Sequence, residues 1–228
     1  MRMIAKWSKT GSAIYSSHLD MQRAFQMWFS RAGIPIRYSQ GFNPHPVLSF
    51  ASALSLGMES HGEYADMALA ELIPETVFLT KMKEHAPPGL EITGCTVKDD
   101  TFPSLTGLLR LAAYDIDCKD WEIRQDSCVL AAKRIMGSSS YEAVRRTKSG
   151  EKKEDIRPMI HSLEIVDGII HTTLSCSSQA TLAPQVLAEA ITREASIDVN
   201  ASVNTPSCLH IIRRELLFAV DGEIKPLL

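Results

Sequence analysis

A polar segment between residues 37 and 46 carries the side chains best suited to contact another molecule, namely Arg37, Tyr38, Gln40, Phe42 and Asn43. An arginine guanidinium presents a planar fork of donors to phosphate or carboxylate. Aromatic rings stack on unpaired bases, and side-chain amides hydrogen-bond to base edges. This combination favours a surface that binds RNA. The alternative is a rigid turn that joins a helix to a strand, with its aromatic rings filling the core.

Two histidines, His18 and His45, are candidates for general acid–base catalysis, because imidazole titrates near neutral pH. His18 stands close to Asp20 at a predicted helix start, and His45 belongs to the polar segment. As a pair they would suit a metal-independent ribonuclease, by analogy with RNA endonucleases of ferredoxin-like fold. The alternative is that His18 caps the helix or packs against its first turn.

Charge is distributed unevenly along the chain. The formal net charge is −3, so the protein as a whole does not attract nucleic acid. The first fifty residues are nevertheless basic, and so is the stretch 145–157. Five cations in these stretches would add attraction for phosphate: Lys6, Arg23, Arg145, Arg146 and Lys148. The alternative is that each basic patch is only a solvated surface.

The cysteines argue against cofactor chemistry in this chain. There are five, scattered at Cys95, Cys118, Cys128, Cys176 and Cys208, with no C-x-x-C pair and no C-x-x-x-C-x-x-C triplet. We therefore expect no metal site, no bound cofactor and no disulfide framework, but free thiols in a reducing cytoplasm. No apolar run reaches the ~18 residues of a membrane helix, and the N-terminus does not read as a signal peptide, so we expect no membrane contact.

The elements that position these residues follow from the hydrophobic pattern. Alternation over Arg2–Ser8 predicts a strand with Arg2, Ile4 and Lys6 on an open face. Ser17 and Asp20 predict the capped start of a helix, and Gly33 predicts its end.

Further along, strands are predicted over 47–54 and 62–71, a helix from Pro74 and a last strand over 90–97. The order strand, helix, strand, strand, helix, strand is that of the split βαβ, or ferredoxin-like, unit. Residues 1–98 are thus predicted to form one such half, which carries the segment Arg37–Pro46.

The rest of the chain roughly repeats this order. Residues 99–107 are predicted to be a linker, and residues 108–228 a second ferredoxin-like half. Within it, a charged turn is predicted at Lys148–Asp155, and Asp167-Gly168 is a hairpin signal. The predicted fold class is therefore α+β, with two consecutive ferredoxin-like halves built on antiparallel sheets.

A run of linked motifs resembles the radical SAM-linked (radical SAM-associated) protein family, a domain of unknown function. The motifs are Ser8–Gly11, Ser17–Asp20, Arg31–Pro35, Tyr38–Pro46, Ser49–Ser52, Leu56–Gly57 and Gly62–Tyr64. The resemblance implies an accessory protein whose partner is a radical SAM enzyme. The iron–sulfur cluster and S-adenosylmethionine would then be bound by that partner.

Three functional hypotheses follow, in this order of preference. The first is an accessory binding protein that presents RNA, or an RNA-like substrate, to the radical SAM enzyme. The second is a pure protein-interaction scaffold that docks on the enzyme without nucleic acid. The third is the ribonuclease built on His18 and His45.

Overall fold

The computed structural model describes residues 1–147, 150–199 and 209–228. Contacts divide the chain into two compact units. The first unit consists of Met1–Leu109 together with Glu215–Leu228, and the second of Arg110–Arg214. Residues 215–228 thus fall in the first unit, whereas the sequence grouped them with 108–214.

Residues 1–109 of the first unit contain four strands, three α-helices and one 3-10 helix among the described residues. Its elements are β1 (Arg2–Lys9), a 3-10 helix (Gly11–Tyr15), α1 (His18–Ala32), β2 (Leu48–Phe50), β3 (Glu59–Ala68), α2 (Glu75–Glu84), β4 (Leu90–Lys98) and α3 (Leu105–Leu108). The short helix α3 begins within the stretch 99–107 that the sequence predicts to be a linker.

The sheet of the first unit is antiparallel, in the order β4-β1-β3. The short strand β2 pairs with β3, and this register places Ser49 opposite Asp66. The sequence predicted a strand over 47–54, but the strand that forms covers only Leu48–Phe50.

Helix α1 begins and ends where its local signals predict. The side chain of Ser17 accepts from the backbone N–H of Asp20, and the carboxylate of Asp20 accepts from the backbone N–H of Ser17. This reciprocal pair satisfies amides that the first helical turn leaves free. Gly33 ends the helix with φ 57°, a left-handed conformation that costs glycine little.

The core of the first unit lies between one sheet face and helices α1 and α2. Phe25 is at its centre, with its ring centroid 5.1 Å from Trp7 and 5.4 Å from Trp28. The indole N–H of Trp28 donates to the carbonyl of Met82 at 2.8 Å, which satisfies a polar group inside the core.

The opposite face of β1 is less open than the sequence predicted. Ile4 is fully buried, and so is Tyr64 on the same face of β3. The ring of Phe218 packs against Tyr64 with a centroid distance of 5.0 Å. The expectation of an open face at Ile4 was wrong. Phe218, from the C-terminal part of the first unit, covers Tyr64 on this face, and the strand pattern does not reveal such a contact.

The second unit is also mixed. Its elements are β5 (Leu109–Asp117, whose first residue falls in the first unit), α4 (Gln125–Gly137), β6 (Glu142–Thr147), β7 (Gly150–Asp155), a 3-10 helix (Arg157–Met159), β8 (Ile160–Val166), β9 (Ile169–Ser175) and α5 (Pro184–Val199). Strand β10 (Ile211–Val220) begins in this unit and ends in the first, where β11 (Glu223–Lys225) pairs with it.

Strands β5, β9 and β8 are neighbours and antiparallel. The turn between β8 and β9 is the predicted hairpin, with φ 50° at Asp167 and φ 74° at Gly168. Residues 150–155, predicted to belong to a charged turn, instead form β7, which pairs with β6 in a separate two-stranded sheet. The sequence does not predict β7 as a strand, because charged residues have low strand propensity. The mixed α+β class is confirmed.

Candidate functional site

The segment that follows α1 returns to the sheet as a narrow hairpin. Ile36 bridges Leu69 and Tyr38 bridges Pro46, both in antiparallel fashion. The backbone N–H of Val47 donates to the carbonyl of Arg37 at 2.8 Å, and that of Arg37 donates to the carbonyl of Ala68 at 2.8 Å. We call residues 37–47 the surface hairpin. Its base is thereby fixed to the end of β3.

A side-chain pair closes the surface hairpin one step further out. The backbone N–H of Ser39 donates to the carbonyl of His45 at 2.8 Å, and that of His45 donates to the hydroxyl of Ser39 at 3.1 Å. The same hydroxyl lies 3.0 Å from Nδ1 of His45. These contacts engage the Nδ1 edge of the imidazole within the hairpin.

The side chains beyond this closure are exposed. Phe42 is completely exposed and Tyr38 is 42% exposed. Arg37, Gln40 and Asn43 are exposed as well. The alternative in which the aromatic rings of the segment fill the core is therefore wrong, because the narrow hairpin carries its tip away from the packed residues.

A cavity of about 350 Å³ lies between the surface hairpin and the adjoining strands. Polar groups from both sides reach it. The hairpin contributes Arg37, Ser39, His45, Pro46 and Val47, and strands β1, β2 and β3 contribute Arg2, Leu48, Ser49, Asp66 and Ala68. Its size is at the lower end of ordinary small-ligand sites, ~300–1,000 Å³.

An ion pair forms the more buried part of the cavity lining. Arg2 donates from Nε to Oδ1 of Asp66 at 3.0 Å and from Nη2 to Oδ2 of the same carboxylate. Its remaining Nη1 donates to the carbonyl of Phe102. The side-chain hydrogen bond to Asp66 raises the pKa of Arg2, so the guanidinium is charged at neutral pH. Asp66 is thus neutralised by its partner.

Arg37 differs from Arg2 in having no such partner. Within residues 1–147, 150–199 and 209–228, its guanidinium makes no hydrogen bond and no ion pair. Because the charges of Arg2 and Asp66 cancel, Arg37 leaves the cavity with an excess positive charge. The arrangement suits an anionic group bound near the mouth of the cavity.

His18 and His45 do not form a catalytic pair in the described part of the chain, where no contact joins them. The ring of His18 packs edge-on against Phe50, with centroids 5.5 Å apart, at the first residue of α1. His45 contacts Ser39 instead, and its Nδ1 lies 3.4 Å from the carbonyl of Asn43. The two rings are thus held by different neighbours.

The predicted auxiliary cations have different surroundings. Lys6 is ion-paired with Glu215, and its Nζ also lies 5.7 Å from the ring centre of Tyr64. Arg23 is exposed, 3.8 Å from Asp20 one turn earlier in the helix. In β6, Arg145 stands opposite Lys152, and Arg146 is the next residue of the same strand. Lys148 lies outside the described residues.

Four polar residues of the cavity lining were not among the predicted site residues, namely Arg2, Ser39, Ser49 and Asp66. The signal for one of them was present: in an extended hairpin, alternate residues share a face, so Ser39 accompanies Arg37. Asp66 has no local signal, because its position depends on the pairing of β2 with β3.

Among the described residues no cluster of three histidine, cysteine or acidic side chains could hold a metal ion. Cys95, Cys118, Cys128 and Cys176 form no disulfide bond with one another. Burial raises the pKa of the Cys95 thiol to about 12, with the charge of Glu75 adding to the effect, and raises that of Cys118 to about 11. Neither thiol is therefore ionised at neutral pH.

Within the described parts of the chain, every helix is too short or too polar to span a membrane.

Fold and site together define an α+β protein with an exposed polar hairpin and a small, positively charged cavity at its base. The sequence matches, over residues 2–184, the family described as "Uncharacterized protein conserved in bacteria (DUF2344)". The chain belongs to this family. A comparison with curated proteins finds no match.

Proposed function

We propose that this protein binds RNA, or an RNA-like substrate, through its surface hairpin and serves as an accessory protein of a radical SAM enzyme in the cytoplasm. The RNA-binding part rests on Arg37, whose guanidinium has no partner in the described residues, and on the exposed ring of Tyr38, the next residue of the hairpin. Phe42 adds a second, fully exposed ring at the hairpin tip. Cation and aromatic rings are the two components of single-strand binding.

The scaffold that we propose for this hairpin is ferredoxin-like in both units. In the first unit the order β4-β1-β3-β2, with helices after β1 and β3, supports this topology. In the second, β8-β9-β5-β10 has the corresponding order, with the β6–β7 hairpin inserted after α4. Such a scaffold would hold the surface hairpin, which follows its first helix, in a fixed position.

The radical SAM partner is proposed on the motif resemblance of the first 70 residues. The partner would hold the iron–sulfur cluster and S-adenosylmethionine, while the present chain supplies binding. Co-purification of the native protein from its source cell tests this part. Retention of a radical SAM enzyme and of RNA is expected. If neither is retained at low salt, the accessory role is contradicted.

Fluorescence anisotropy with tRNA and ribosomal RNA fragments, titrated with salt, tests RNA binding directly. Arg37→Ala is expected to weaken binding about tenfold, as for loss of a charge-assisted hydrogen bond. The slope of log affinity against log salt should become shallower by about 0.7. The matched control is Arg31→Ala, another exposed arginine, which does not line the cavity. Equal affinity for wild type and Arg37→Ala would contradict the proposal.

A pure interaction scaffold is the second candidate, favoured by a mostly apolar groove of about 540 Å³. Leu72, Ile73, Pro74, Glu75, Thr76 and Val97 line it, and Leu72 is exposed. Leu72→Asp should then abolish capture of the radical SAM enzyme and leave RNA binding unchanged. The ribonuclease alternative is not favoured, because His18 and His45 have separate partners.

A further inference from the structure

We propose that the cavity at the base of the surface hairpin is a subsite for a phosphate monoester, so that the protein grips the phosphorylated end of an RNA strand. This inference rests on the proposed RNA-binding function and names the group that the cavity receives. Four side chains of the cavity wall would contact the phosphate: Arg37, Ser39, His45 and Ser49.

The donors of the cavity come from both of its walls. On the hairpin side, the alternation of an extended chain puts Arg37 and Ser39 on one face. On the strand side, Ser49 stands in β2 opposite Asp66 and adds a hydroxyl. A phosphate monoester has three terminal oxygens and therefore accepts from several such donors at once, which a carboxylate with two oxygens does less well.

The imidazole of His45 is oriented for the same role. Nδ1 of His45 lies 3.0 Å from the hydroxyl of Ser39 and 3.4 Å from the carbonyl of Asn43. When the hydroxyl donates to Nδ1, the neutral ring carries its proton at Nε2, and when Nδ1 is the donor, the hydroxyl keeps its hydrogen for a ligand. In either tautomer the Ser39–His45 pair therefore offers one donor to an anion in the cavity.

The one carboxylate in the cavity does not oppose an anion. Both oxygens of Asp66 are engaged by Arg2, and the pair is charge-neutral as a unit. Arg2 has little donor capacity to spare, because its Nη1 is used by the carbonyl of Phe102. Arg37 is therefore the charge that attracts the ligand, and the Arg2–Asp66 pair acts as a polar inner wall.

That inner wall favours a strand end over an internal phosphate. The side chains of Arg2 and Asp66 are only 15% and 8% exposed, so the cavity is closed on their side. An internal phosphodiester continues in both directions and needs an open channel. A terminal phosphate needs only one opening, and about 350 Å³ accommodates it with part of its ribose.

The aromatic residues complete the arrangement from outside. Tyr38 and Phe42 do not line the cavity, and Phe42 lies at the exposed tip of the hairpin. A base attached to the bound phosphate would leave the mouth of the cavity and stack on one of these rings. The phosphate would thus fix the strand end, and the rings would hold the adjacent base without regard to its identity.

The test compares oligoribonucleotides of one sequence that carry a 5′-phosphate, a 3′-phosphate or only hydroxyl ends. One of the two phosphorylated forms is expected to bind at least about tenfold more tightly than the hydroxyl form. Ser49→Ala should reduce that preference about threefold or more while keeping the affinity for the hydroxyl form. Ser12→Ala, an exposed serine outside the cavity, is the matched control.

A second measurement avoids mutation altogether. The imidazole resonances of His45 are followed by NMR while wild-type protein is titrated with adenosine monophosphate or adenosine. The monophosphate is expected to shift them and adenosine is not. Equal binding of all three oligonucleotides, without a shift by the monophosphate, overturns the subsite but leaves RNA binding standing. A shift by the monophosphate without binding of any RNA supports the subsite and rejects the proposed function, and no response in either assay rejects both.

Discussion

Ser39 and His45 hold the surface hairpin closed by contacts in both directions, with the backbone N–H of His45 donating to the hydroxyl of Ser39 at 3.1 Å and that hydroxyl 3.0 Å from Nδ1 of the ring. The hydroxyl of Ser39 thus contacts both the backbone N–H and the imidazole of His45. Few other contacts restrain the hairpin tip, so this pair sets the orientation of the imidazole at the cavity.

Ser39→Ala should loosen the hairpin without unfolding the protein. We expect a loss of about 0.5–1.5 kcal/mol in the free energy of unfolding, the usual net value of one hydrogen bond. Exchange of the His45 amide hydrogen should accelerate, because its acceptor is gone. Ser39→Thr keeps the hydroxyl and should restore slow exchange. Equally fast exchange in both variants would show that the hydroxyl does not hold the hairpin.

Lys6→Met should affect stability more than RNA affinity. Lys6 is engaged by Glu215, which also accepts from the hydroxyl of Tyr64 at 3.0 Å. Removal of the ammonium leaves Glu215 half-buried without its counter-charge, for a loss of about 1–3 kcal/mol measured by urea denaturation. RNA affinity should fall much less than with Arg37→Ala. A fall in RNA affinity as large as that of Arg37→Ala would mean that Lys6 leaves Glu215 and contacts an RNA phosphate instead.

Phe25→Ala should be strongly destabilising. Phe25 is fully buried and contacts the rings of Trp7, Trp28, Phe29 and Phe50. Its truncation leaves a cavity in that cluster, with an expected loss of about 3–5 kcal/mol in chemical denaturation. Met27→Ala, on the exposed side of the same helix, is the control and should change stability little. Similar losses in both variants would contradict the assigned core.

Asp20→Asn should reduce the acid sensitivity of the protein. The side chain and the backbone N–H of Ser17 bond to the carboxylate and hold the pKa of Asp20 below its ordinary value of 3.8. A lowered folded-state pKa means that this carboxylate contributes stability above the unfolded pKa. The contribution disappears as the pH falls through the folded pKa.

The variant should therefore be less stable than wild type at neutral pH, with the difference shrinking in the acid range. Denaturation at a series of pH values between 7 and 2 measures this. Asp126→Asn is a suitable control, since Asp126 is an exposed acid near the start of α4. A difference between Asp20→Asn and wild type that is constant with pH would contradict the role of the charge.

Local signals explain what the sequence predicted well. The start of α1 at Ser17, its end at Gly33 and the turn at Asp167-Gly168 were all confirmed, because each depends on bonds among residues a few positions apart. The same kind of signal failed for β7, since strand propensity within 150–155 is low and pairing with β6 supplies the stabilisation.

In the candidate site, too, the local features were predictable and the long-range ones were not. The residue types of the segment 37–46 predicted a surface for contact, and the structure shows that Arg37, Tyr38, Gln40, Phe42 and Asn43 are exposed. That they bind another molecule stays a prediction. The cavity beside it could not be predicted, because its walls come from three strands and the Arg2–Asp66 pair joins residues 64 positions apart. No local pattern encodes such a pair.

By itself, the sequence determined the mixed α+β class, the limits of the first helix and the chemistry available in the segment after it. These depend on side-chain type, short-range hydrogen bonds and hydrophobic period, all of which are written along the chain. Tertiary structure alone decided that Ile4 is covered, that Lys6 is neutralised and that Arg37 is not. Burial and pairing of charges depend on which distant strands become neighbours, and that is settled only when the whole core packs.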